Sequence, residues 1–218
     1  MLRGTGEELI FKDQDDYYRG IFSIFEFNTT KPVEIAIQRR KRKIQKNKGE
    51  QFSDDRDLLV EILAFCFMPN HIHLLLYQKK DGGITNFMRK FGAGYASYFN
   101  KRHKRKGHLF QGRFRAVHIQ DESQLRTVFV YIHCNPLSLI EPSWKEKGIK
   151  QTIKSTEFLE NFKWSSYQDY IGKNNFPSVT QKDFLVNAIL GKGGGRNLVR
   201  NWIRYKKDLV DWYEVGIE

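Results

Sequence analysis

Cysteine is scarce: Cys66 and Cys134 are the only two in 218 residues, they stand far apart, and no CxxC occurs. Neither a disulfide framework nor a thiolate zinc site is indicated, which suits a reducing compartment, and any metal must find other ligands. No run approaches the roughly eighteen apolar residues of a membrane span. The opening MLRGTGEELIFKDQDD lacks the apolar core of a signal peptide. A cytoplasmic protein is expected. Internal repeats are absent, and GKGGG (191–195) is not a phosphate loop, because no strand precedes it and its lysine lies before the glycines; a flexible joint is expected there. Acidic residues are also short, 25 against 37 lysines and arginines, for a formal charge of +12. Such an excess suits a polyanionic partner, most commonly nucleic acid. What is plentiful is apolar and aromatic content, 40% and 14%, enough for one core and a small appended subdomain.

The positive charge is concentrated in RRKRKIQKNK (39–48) and KRHKRK (101–106). The first reads equally as a solvated loop; the second lies between segments rich in aromatics and points to phosphate contact.

Apolar spacing over Tyr18, Phe22, Ile24 and Phe25 predicts a helix starting after Asp13–Asp16. A basic, polar connection from Lys31 to Asp57 follows. DLLVEILAFCF (57–67) reads as a strand buried on both faces apart from Glu61, Met68 to Asn70 as a turn, and HIHLLLYQ (71–78) as the returning strand of a hairpin. Residues 84–100 have helical spacing up to the basic block. HLFQGRFRAVHI (108–119) resembles a further strand with Arg113 and Arg115 on one face. Asp121 to Ser123 cap a helix over 124–135 that Pro136 closes. This order predicts an α+β fold on an antiparallel sheet. Beyond Glu141 only short helical stretches remain, giving a division into residues 1–141 and a helical extension, 142–218.

In a strand, His71 and His73 share a face while Ile72, Leu74 and Leu76 point the other way, a geometry that suits two imidazoles on one divalent ion. Alone, an HxH pair is more often a pair of core or surface histidines. On the helix 124–135, Leu125, Val128, Phe129 and Ile132 form the buried stripe, and Tyr131 and Asn135, four apart, share its flank. A flanking tyrosine is by itself more often a packing residue; an amide oxygen suited to a hard cation one turn away shifts the balance.

Four ordered segments, MPNHIHLLL, GYASYFNKRHKRKGHLFQGRFRA, VYIHCNPL and KWSSYQDYIG, resemble the REP-associated tyrosine transposases of the HUH single-strand endonuclease superfamily over roughly residues 10–172. The resemblance implies a ferredoxin-like antiparallel sheet with helices on one face. It implies a metal pair in His71 and His73 with Asn135 as third ligand, and Tyr131 as nucleophile. Tyr95 and Tyr98 lie in the other helix, and Tyr95 falls on its apolar stripe, so neither competes. His133 falls on the opposite flank from Tyr131 and is given no metal role; His103, His108 and His118 have less claim.

The implied activity is transposition by single-strand DNA cleavage next to a hairpin, through a 5′-phosphotyrosine, with Mg²⁺ or Mn²⁺ as cofactor. A phenol has a pKa near 10, and no further base is evident in the sequence. Lys101, Arg102, Lys104, Arg105, Lys106, Arg113 and Arg115 are the expected phosphate contacts, with Tyr98, Phe110 or Phe114 available to stack on bases. A homodimer is expected by resemblance only. Relatives usually begin with a strand resembling YHVxxRG, of which this sequence retains little or nothing ahead of RGTGEELIFKD, so the first strand is expected to be missing and a sheet edge unpaired. The alternative to the enzyme is a catalytically inactive or domesticated hairpin-binding protein of the same fold; a third option is a metal hydrolase using water in place of Tyr131.

Overall fold

The computed structural model describes residues 1–50, 54–191 and 194–205. At its centre is β3 (His71–Gln78), hydrogen-bonded antiparallel to β2 (Val60–Met68) on one side and to the two-residue β1 (Leu2–Arg3) on the other. The hairpin turns at Pro69 and Asn70, and its register sets Met68 opposite His71 and Cys66 opposite His73.

Alternation along the hairpin divides the core in two. Phe65, Phe67 and Ile72 pack with α1 (Gln14–Glu26) and α3 (Gly83–Arg102). Cys66, Met68 and Leu75 pack with α4 (Glu122–Cys134). Helices therefore cover both faces of the sheet, which corrects the expectation of one, and this double cover explains why β2 is buried along almost its whole length. The second layer holds more than α4. After α5 (Trp144–Lys147), α6 (Thr152–Asn161) and α7 (Tyr167–Tyr170), a short helix, α8 (Asp183–Leu185), continues as a π-helical turn (Val186–Leu190). The last element is α9 (Gly194–Tyr205). Trp144, Leu159, Tyr167, Leu185 and Val199 from these elements join the same apolar cluster as Phe129 and Val130. The expected joint at 191–195 lies partly outside the described residues, as does the end of the helical stretch expected over NLVRNWIRYKK (197–207). No helix among the described residues is long and apolar enough to cross a membrane.

The sheet edges are covered. Leu2 pairs with Ile72 and Arg3 with His71, so the expected missing first strand is present as this short segment, too brief to leave a periodic signal. Gly4 then turns the chain, since a Cβ there would lie 2.5 Å from the Glu8 carbonyl oxygen. On the far edge, Trp164 and Ser166 bond the backbone of Phe67 and Phe65, so the KWSSY motif lines β2.

Two further expectations are corrected. Residues 108–119 do not form a strand. They run beside the N-terminus through Thr5 N to Leu109 O (3.0 Å) and Gln111 N to Arg3 O (2.9 Å), but Gly112, at φ 150°, interrupts the pairing. The 31–57 connection contains α2 (Ile35–Asn47), which covers most of the first basic block. Its run of Arg, Lys and Gln has good helix propensity and no apolar stripe to reveal it; of its residues only Ile35 is buried.

Candidate active site

Both halves of the site rest on elements whose local sequence determines their position. The strand holds His71 and His73 on the face turned toward α4. That helix starts where the Asp121 carboxylate accepts the Gln124 backbone N–H (2.8 Å), and it ends where Asn135 and Pro136 begin a 3₁₀ turn, Asn135–Leu139. The sheet covers one side of α4 and the C-terminal helices the other, so every residue from Phe129 to Asn135 is buried. Tyr131 and Asn135 are thus not on an exposed flank: their flank is the one facing the histidines.

The four residues meet. The His71 and His73 rings are 4.9 Å apart between centroids, and the His73 and Tyr131 rings 5.4 Å, each pair nearly perpendicular. His71 Nε2 lies 3.2 Å from Asn135 Oδ1, and His71 Nδ1 lies 2.7 Å from Asn70 Oδ1. With Nδ1–H donating to Asn70, His71 Nε2 carries a lone pair and faces a second acceptor, the Asn135 oxygen, an opposition that a shared cation relieves. His73 Nε2 is buried with no hydrogen-bond partner, a costly state for a polar atom. No cluster of three or more His, Cys, Asp or Glu side chains occurs among the described residues; the third donor here is an amide oxygen. This donor set fits a divalent ion.

Electrostatics agree. Burial lowers the His71 pKa to about 4, against the opposing effect of its contact with Asn135. Burial, and then the charge of His71, push His73 well below the usual 6.5. Both imidazoles are neutral at pH 7, the state a ligand needs. Burial likewise brings His133 to about 3; it lies on the other side of α4, its Nε2 2.8 Å from Ser166 Oγ. Unfolded histidines take up protons near 6.5, and these folded ones only much lower. Stability is therefore fully present above about pH 6.5 and is lost as pH falls through 4. Thermal melts of metal-free protein should show the midpoint falling over that window, and His133→Gln should flatten the fall; a midpoint that does not move between pH 7 and pH 4 would contradict the burial.

One residue at the site carries no sequence signal. Lys145 Nζ donates to the Tyr131 hydroxyl at 3.1 Å and lies 5.0 Å from the ring centroid. Fourteen residues and the 3₁₀ turn Asn135–Leu139 separate the two, so no single helix or strand places them together. Asn70 is the other unforeseen member, although its place directly before the HxH pair offered a hint. Beside the site runs a groove of about 1290 Å³ bordered by His73, Tyr131, Phe114, Arg115, His118 and Phe184.

The seven expected phosphate contacts separate. Lys101, Lys104, Lys106, Arg113 and Arg115 are exposed. Arg102 is held by Asp13 (2.7 Å) and Asp16 (2.6 Å), and Arg105 by Glu8 (2.6 Å), so these two brace α3 against the N-terminal segment. Tyr95 donates to the Ile10 carbonyl (2.6 Å) in the core, as its apolar stripe predicts, and Tyr98 donates to Asp16 (3.1 Å). Phe110 and Phe114 are half-buried and pack against the α1/α3 cluster.

A strand-borne histidine pair facing a tyrosine and an asparagine on one helix defines an arrangement of HUH type. Residues 35–135, which carry all four, match the family model described as Transposase IS200 like. No curated protein and no solved structure matches the chain.

Proposed function

We propose that the protein cleaves single-stranded DNA beside a hairpin by attack of the Tyr131 hydroxyl on a backbone phosphate. The observation that carries this is the meeting of Tyr131 with the histidine pair, its ring 5.4 Å from that of His73. The Tyr131 Oη–P bond forms as the P–O3′ bond breaks; the phenolic proton ends, net, on the departing oxygen. The products are a 5′-phosphotyrosine and a free 3′-hydroxyl. Because the covalent link retains the phosphodiester, the 3′-hydroxyl of another strand reverses the step and transfers the strand without external energy.

His71, His73 and Asn135 would hold a Mg²⁺ or Mn²⁺ ion, which when bound supplies Lewis-acid polarisation of a non-bridging phosphate oxygen. Asn70 orients His71, and burial keeps both imidazoles neutral. Exposed Lys101, Lys104, Lys106, Arg113 and Arg115 supply phosphate contacts along the basic segment.

The test incubates end-labelled, hairpin-flanked single-stranded DNA with the protein and Mn²⁺ and separates products under denaturing conditions. A covalent protein–DNA adduct with the label on the 5′-phosphate side supports the reading. Cleavage without an adduct would favour a water nucleophile, and binding without cleavage a protein that keeps the fold for recognition alone. Asn70→Ala is expected to weaken Mn²⁺ binding about 10- to 100-fold, as loss of a residue orienting a ligand does. Titration calorimetry measures it, and unchanged affinity would show that Asn70 does not orient the ligand.

A further inference from the structure

The attacking oxygen needs compensation for the negative charge it carries as it loses its proton, and the histidines, neutral and turned toward a metal position, do not supply it. Among the described residues, Lys145 offers a cation at the right atom. Lys145 Nζ lies 3.1 Å from Tyr131 Oη. Its backbone is anchored: Trp144 beside it is 2% exposed, packs against Trp202 at 5.5 Å, and its N–H donates to the Glu141 carbonyl at 3.0 Å. No carboxylate among the described residues forms a salt bridge with Lys145, so its charge is not spent on a partner anion.

We propose that Lys145 is a further catalytic residue: its ammonium holds the Tyr131 oxygen in place and offsets the charge on it, as nucleophile in cleavage and as leaving group in resealing. The proposal rests on the reading of Tyr131 given above. Donation from the ammonium occupies one lone pair of the hydroxyl oxygen, leaving the other to point at phosphorus. The bond to phosphorus forms at that oxygen, the phenolic proton leaves to the 3′-oxygen, and the ammonium keeps its own protons throughout. A positioned cation of this kind acts like an oxyanion-hole donor, stronger where charge develops than in the ground state.

The ordinary alternative is a lysine stem lying along a ring, or a lysine that only binds DNA phosphate. Lys145→Met keeps the stem and removes the charge; Lys145→Arg restores a charge. Single-turnover adduct formation at saturating DNA is compared with DNA affinity measured without added metal and with the thermal midpoint. The expected result is a fall of about 100-fold in the saturated rate for Lys145→Met, substantial recovery in Lys145→Arg, and affinity and midpoint close to wild type. A Lys145→Met protein that matches the wild-type saturated rate overturns the proposal while leaving the Tyr131 reading intact, and so does a change confined to affinity. Wild-type protein that forms no adduct at all overturns both.

Discussion

Replacement of Tyr131 by phenylalanine is expected to abolish the covalent adduct and to slow strand cleavage on the order of 10⁶-fold, the scale on which removal of a covalent nucleophile acts. The substitution deletes one oxygen. The ring that meets His73 edge-on at 5.4 Å is retained, so the histidine pair keeps its neighbour and the helix keeps its packing. The hydrogen bond from Lys145 is lost in the ground state, and because that ammonium is exposed enough to find water instead, its loss costs less than about 1 kcal/mol. A large effect on cleavage combined with near-native stability and DNA affinity is what separates a nucleophile from a packing residue. The measurement is adduct yield and single-turnover cleavage of hairpin-flanked DNA by the variant and the wild type. Cleavage by Tyr131→Phe at a comparable rate would remove the tyrosine from the reaction and leave the histidine pair activating water.

What a sequence can show depends on how far apart the cooperating residues lie and whether a repeat marks them. The returning strand is legible to the residue, 71–78, because apolar alternation and the Pro69–Asn70 turn bound it on both sides. Likewise α3 and α4 follow from their stripes. The HxH pair and the Tyr131–Asn135 pair each obey a local period, and the resemblance connected them across sixty residues. The two-residue β1 has no period to show. In 108–119 an apparent alternation is broken by Gly112, at φ 150°. Lys145 belongs to the site through a turn that nothing near Tyr131 encodes. The same limit governs the basic block: Arg102 and Arg105 are paired with carboxylates at Glu8, Asp13 and Asp16, nearly a hundred residues earlier, while Lys101, Lys104 and Lys106 form no salt bridge among the described residues. A charge run predicts a charged surface; which members remain available for phosphate is a tertiary property.

Those carboxylates carry the second large effect, which is on folding. Asp16→Ala is expected to lower the unfolding free energy by about 3 kcal/mol, the lower end of the cost of breaking a buried ion pair by removing one partner. The Asp16 side chain is fully buried. It accepts from the Lys12 backbone N–H (3.0 Å), Tyr98 Oη (3.1 Å), Arg102 Nη1 (2.6 Å) and His103 Nε2 (2.9 Å), tying the start of α1 to the end of α3. Alanine leaves these donors facing an apolar gap, and a buried donor without an acceptor costs about 1–3 kcal/mol. Arg102 moderates the loss, because it is partly exposed and keeps Asp13. The clasp lies in the α1/α3 layer, and the histidines, Tyr131 and Lys145 lie in or against the α4 layer across the sheet. The variant should therefore lose stability without losing the saturated cleavage rate at a temperature where it remains folded. Urea unfolding of wild type, Asp16→Ala and Asp16→Asn gives the three free energies. Because the amide keeps an acceptor oxygen but loses the charge, Asp16→Asn should fall between the other two; a loss under about 1 kcal/mol for alanine would show that the clasp is solvated and that α3 is held by its apolar stripe alone.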